Sequence, residues 1–229
     1  MRELRNWAKL PSTWIEKGGL KEFSWGQKGG SAQAAALMTL LAISHRTADE
    51  TGSARRGYDE LHWATHLSRT KIAHGLDVLE GRGLVVREVQ GRSTFQLSGY
   101  DPKQGWAMVP VKKLYSADGM TAFSEFHLRK KVELDALKAY LAFAARRDRK
   151  QNRAHITYEQ LNKYVGIPEA RIKPAISMLV VNNLVVVEQI ERSGGGLGVS
   201  HSYRLKNLFP NKHVGTVGRA DMPLTGEFE

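Results

Sequence analysis

One stretch of 31 residues occurs twice in this chain, 100 residues apart, and it limits the possible folds more than any other feature. Tyr58 to Glu88 reads YDELHWATHLSRTKIAHGLDVLEGRGLVVRE, and Tyr158 to Glu188 reads YEQLNKYVGIPEARIKPAISMLVVNNLVVVE, with no gap needed. Tyr58/Tyr158, Leu61/Leu161, Ile72/Ile172, Leu79/Leu179, Leu84/Leu184, Val85/Val185, Val86/Val186 and Glu88/Glu188 are identical. Two copies of a long period predict two similar units, not a solenoid.

The similarity extends upstream. Trp7, Ala8 and Pro11 match Trp106, Ala107 and Pro110 at an offset of 99. Gly19, Phe23 and Ser24 then match Gly119, Phe123 and Ser124 at 100. Ala36, Leu37, Leu41, Ala42 and Arg46 match Ala136, Leu137, Leu141, Ala142 and Arg146. Each unit therefore opens with an extended WAxxP segment, since proline biases the residue before it towards β. A loop and a long helix follow.

Apolar spacing sets the elements. Leu61, Ile72, Leu76 and Leu79 recur at the steps of a buried helix face, and Leu84 to Val89 has the β-branched composition of a strand. In the first unit the expected order is a helix over 31–48 with Ser31 as N-cap and Leu37, Leu40, Leu41 and Ser44 inward, and a polar loop over 49–57. A helix over 59–67 and a turn follow. Then come a helix over 69–82 capped by Ser68 and closed by Gly83, and a hairpin over 84–98. In the second unit the long helix is expected over 134–149, the motif helices over 158–165 and 169–182. Tyr203 and Leu205 align with Phe95 and Leu97 at an offset of 108, so the second hairpin is 8 residues longer, with a glycine-rich tip at 193–199. Helix, turn, helix and strand hairpin is the order of a helix-turn-helix with a wing.

The expected fold class is mainly α with small β-wings (α+β), two tandem winged-helix domains from an internal duplication. The expected boundaries are a first domain at 1–99, a linker at 100–105 (GYDPKQG begins at Gly99), a second domain at 106–205 and a mostly disordered tail at 206–229.

Composition narrows the function. The chain has 229 residues, no cysteine, a formal net charge of +11 and a pI near 9.9. The cysteine count excludes disulfides and thiolate metal sites. With no long apolar run or signal-type segment, the expectation is a soluble, cytoplasmic protein, nucleoid-associated if its partner is DNA. The basic balance suits a polyanionic partner. Residues 1–99 carry 14 Lys+Arg against 10 Asp+Glu; residues 100–205 carry 17 against 10. The second unit is the more basic.

Candidate contacts to double-stranded DNA follow. Ser68, Arg69, Thr70 and Lys71 open a helix, with His74 one turn on. Helix-opening side chains enter the major groove, where Arg can fork onto guanine. The second helix opens PEARIKP, with Pro174 in its interior, which predicts a kink or a late start. Arg171 and Lys173 would then hold phosphates. Arg92, Arg192 and His201 belong to the hairpins, and Arg146, Arg147 and Arg149 to a basic run; Arg55 and Arg56 are further phosphate candidates. His62 and His66 have zinc spacing, yet no glutamate or third ligand accompanies them, so helix packing explains them better. The 194–198 glycines lack the lysine and Ser/Thr of a phosphate loop. No cofactor, metal site or catalytic constellation is expected.

The run Leu67-Ser68-Arg69-Thr70-Lys71-Ile72, continuing through Leu76, Leu79, Glu80, Arg82 and Gly83 to Val85, resembles winged-helix regulators of the MarR and GntR kind. The unit layout, WAxxP then a long helix then the motif, is similar to plasmid and phage replication proteins. Two such units in one chain resemble plasmid initiators of the RepE and pi (Rep) type. The resemblance implies a non-enzymatic, sequence-specific duplex-binding regulator acting by site occupancy. The alternatives are a replication initiator at origin repeats, or a protein-interaction adaptor. A homodimer is a possible partner state.

Overall fold

The computed structural model describes residues 4–26, 29–88, 94–148, 151–191 and 199–208. It is an α+β structure of helices and small antiparallel sheets, and apart from the short α1 and the 3-10 turns the same order of elements runs through both halves of the chain. In the first half these are β1 (Trp7–Pro11), the short α1 (Thr13–Glu16), α2 (Gly30–Ser44), β2 (Ser53–Arg55), α3 (Tyr58–Thr65), α4 (Arg69–Gly81), β3 (Val85–Glu88) and β4 (Thr94–Leu97). In the second they are β5 (Trp106–Pro110), α5 (Lys131–Arg146), β6 (Ala154–His155), α6 (Tyr158–Gln160) continuing as a π-turn over Leu161–Val165, α7 (Glu169–Val181), β7 (Val185–Glu191) and β8 (Val199–Leu205).

Each half carries a three-stranded sheet, ordered β2-β4-β3 and β6-β8-β7. The registers correspond. Val85 faces Leu97 and Arg87 faces Phe95, while Val185 faces Leu205 and Val187 faces Tyr203. Ala54 faces Phe95 as Ala154 faces Tyr203. The helix ends also correspond. Gly83 (φ 63) and Asn183 (φ 58) adopt the left-handed conformation after α4 and α7. Leu84 and Leu184 then return their N–H groups to the Leu79 and Leu179 carbonyls, each at 2.9 Å, the six-to-one bond of a Schellman cap.

What joins the halves is a sheet the sequence pattern did not announce. β1 pairs antiparallel with β5, Trp7 opposite Pro110 and Pro11 opposite Trp106. Each opening strand thus lies against its own counterpart, about a local two-fold through the Lys9–Met108 pair. The Trp7 and Trp106 rings stack at 5.7 Å. α2 and α5 pack on each other beneath this sheet. α2 is buried from Ala34 to Ser44 on every side, because α4 covers one flank and α5 and β1 the others. An inner stripe of Leu37, Leu40, Leu41 and Ser44 was therefore too narrow an expectation. The helix begins behind Gly29 (φ 104), one residue before Ser31, which sits in the first turn and not at the cap.

Gly75 of α4 is a required glycine. A Cβ there would lie 2.9 Å from the Ala35 carbonyl carbon, so α4 rests backbone to backbone on α2. The connecting residues are tied down: the Pro102 carbonyl accepts from Lys9 Nζ (2.9 Å) and Trp106 Nε1 (3.2 Å). At the other end, the buried Leu208 gives its carbonyl to Asn152 Nδ2 at 2.8 Å. The structure holds these first residues of the expected tail; residues 209–229 lie outside the described residues, as do residues 193–198 of the glycine-rich tip.

Candidate nucleic-acid interface

α4 is positioned by its inner row, Ile72, Leu76 and Leu79, buried against α2. Its start is fixed by the Ser68 hydroxyl, which accepts the Lys71 N–H at 3.3 Å. That leaves Arg69, Thr70 and His74 exposed on one outer face, with Asp77 beyond them. Arg69 pairs with Asp59 at the start of α3, both side chains largely in solvent. Such a pair contributes little and is easily exchanged for another anion. Lys71 departs from the row. It is half-buried, and its ammonium donates to the His127 carbonyl of the second half at 3.0 Å. It acts as a bridge between the halves.

α7 offers a different face. It runs from Glu169 to Val181 as one assigned helix, so the late start expected from Pro174 does not occur. Ala170 and Pro174 both lie on the exposed side, where water can take the bond proline cannot donate. The exposed row contains Glu169, Lys173, Pro174 and Ser177, and ends in Val180 and Val181. Arg171 is drawn away from it. Its guanidinium lies 3.1 Å from the Asp135 carboxylate, whose side chain is 3% exposed. Burial raises the Asp135 pKa, while Arg171 and then Lys138 oppose the rise. Lys138 is itself buried and donates to the carbonyls of Phe23 (3.0 Å) and Gly166 (3.1 Å), one from each half. Burial lowers its pKa to about 8, although the Asp135 charge opposes this. The Asp135–Lys138–Arg171 cluster stands where the first half has Ala35, Met38 and Lys71.

Arg147 must be corrected. It was expected among phosphate-binding cations, but it is 2% exposed. Its guanidinium donates to Asn152 Oδ1 (2.8 Å) and approaches Met108 Sδ (3.3 Å). α5 ends at Arg146, three residues before the expected end, and Arg147 is extended, bridging to Ala154. The change from helical to strand geometry turns this side chain inward and leaves Arg146 and Asp148 half-buried. Arg92, Arg149 and Arg192 lie outside the described residues. His201 is half-buried on β8, its ring stacked on Tyr158 at 6.3 Å.

The second sheet also carries Arg153, the last cation of the basic run, and Arg204, which sequence reasoning missed. Arg153 and Arg204 flank Glu188 at 2.5 and 3.1 Å. Burial pushes the Glu188 carboxyl up, but its bonds to Arg204 and Arg153 outweigh that and hold it below the ordinary range. The offset of 108 only aligns Arg204 with Gln96; the strand register sets it opposite Val186 and diagonal to Glu188. His62, the zinc-spaced histidine, gives Nδ1 to the Leu67 carbonyl at 2.7 Å, closing the turn between α3 and α4. Neither a family model nor a curated protein matches the chain.

Proposed function

We propose that each half is a winged helix, that the two arose by duplication, and that the chain binds duplex DNA sequence-specifically without catalysing a reaction. The observation that carries this is α4: a helix seated by Gly75 on α2, capped by Ser68, and presenting Arg69, Thr70 and His74 to solvent between α3 and the β3–β4 hairpin. Side chains at the start of such a helix reach base edges in the major groove. The antiparallel pairing of β1 with β5, each strand against its counterpart, is what supports reading the two halves as paired units within one chain, an arrangement usually made by two subunits. α4 and α7 differ in sequence, so the bound site would be a composite of two unlike half-sites. α4 reads bases. The second half, with Lys173 on α7 and Arg153 and Arg204 on its sheet, anchors to phosphates. Regulation by site occupancy is the primary role. Origin binding for replication is the second reading, favoured by the pairing of two units in one chain.

Footprinting on DNA flanking the chain's own gene tests this. The expected result is one protected asymmetric site, with affinity falling by roughly 0.9 log units per log unit of salt for each phosphate neutralised. Salt-independent binding, or no binding to any duplex, refutes the reading.

A further inference from the structure

Behind the C-terminal end of α2, on the flank of β2, lies a cleft of about 400 Å³. Arg5, Arg46, Arg55 and Arg56 line it with His45 and Ser53, and no acidic side chain does so among the described residues. Arg5 pairs with Asp49 at 2.5 Å and Arg56 with Glu60 at 2.6 Å, both carboxylates outside the lining. His45 is 3% exposed, with Nδ1 bonded to the Tyr115 hydroxyl of the second half at 3.0 Å. Its Nε2 is buried and has no hydrogen-bond partner. Burial, then the neighbouring Arg46 charge, hold this imidazole neutral with a pKa of about 3.

The guanidinium groups of Arg46 and Arg56, half-buried in the same wall, repel one another, and burial followed by Arg56 lowers the pKa of Arg46. A polyanion between them would relieve that repulsion. The forked donors of arginine match phosphate oxygens, and the unpartnered imidazole nitrogen adds a polar group to the wall. The volume is that of a small-molecule site. Backbone phosphates of a duplex reach exposed side chains, whereas Arg46 and Arg56 are half-buried and His45 lies beneath them. We propose that this cleft binds a compact free anion carrying two or more phosphate groups. The proposal is independent of the DNA reading.

Titrating pyrophosphate into the full chain by calorimetry at fixed ionic strength tests it, with inorganic phosphate as the single-phosphate comparison. Saturable 1:1 binding of pyrophosphate, tighter than of phosphate, is expected. Arg46→Gln and Arg55→Gln should each weaken it at least tenfold, and Arg69→Ala, outside the cleft, by less than twofold. Arg55 is exposed, so its variant keeps the test valid if Arg46→Gln is unstable. The His45 ring resonances should shift on saturation. Absence of saturable binding overturns the proposal, as does binding indifferent to Arg55→Gln. So does loss of duplex binding in Arg55→Gln when the wild-type chain binds no pyrophosphate, because the arginines then serve DNA phosphates.

Discussion

Replacing Lys138 by Met gives the second long helix the residue that the first helix has at the equivalent position, Met38. The wild-type ammonium is buried and holds one carbonyl from each half. Its pKa falls from 10.5 to about 8, chiefly through burial. The folded state therefore releases this proton at a pH where the unfolded chain still binds it. Stability contributed by this group must rise with pH, beginning near 8 and ending near 10.5. The full difference, at 1.36 kcal/mol per pH unit, is roughly 3 kcal/mol. By pH 9 roughly 1 kcal/mol of it is gained relative to pH 7. Lys138→Met has no such proton. Urea denaturation of both proteins at pH 7 and pH 9 isolates the difference, since groups outside the Asp135–Lys138–Arg171 cluster titrate alike in both. The wild type should gain roughly 1 kcal/mol on the variant, on the order of a few tenths of a molar in midpoint for a chain of this size. Equal pH dependence in the two, or a wild type that loses ground to Lys138→Met as pH rises, refutes the reasoning.

Arg69→Ala should cost roughly 1–3 kcal/mol on the footprinted site and little on scrambled duplex; an equal loss on both means Arg69 contacts only phosphate. Arg147→Ala should lower stability by about 3 kcal/mol, because a buried cation's packing and the Asn152 bond are lost together, and should leave the salt slope of DNA binding unchanged. A shallower slope would show that the side chain reaches phosphate after all. Gly75→Ala should destabilise by roughly 1–3 kcal/mol, because the added methyl meets the Ala35 backbone and pushes α4 off α2; thermal unfolding indistinguishable from wild type would show that the two helices are not in close contact.

Local periodicity makes much of this chain readable from its sequence. The three-to-four-residue spacing of Ile72, Leu76 and Leu79 places α4 and its inner face, because each residue's position on a helix depends only on its near neighbours. The Ser68 cap and the Gly83 stop are local for the same reason. The offset of 108 anticipated which hairpin residues occupy like positions, and Phe95 and Tyr203 do face residues 87 and 187. The exposed face of Arg69, Thr70 and His74 was legible too, since it is what remains once the inner face is assigned.

Contacts between residues far apart in the chain decided the rest. Nothing in WAxxP says that its two copies pair with each other, because strand pairing across 99 residues leaves no local period. Lys71 and Arg171 looked like outward cations until His127 and Asp135 drew them aside, and neither partner is near in sequence. Arg146 and Arg147 are adjacent and chemically alike, yet one ends a helix and the other begins an extended segment. A change of backbone geometry at a single residue thus separated a half-exposed cation from one in the core.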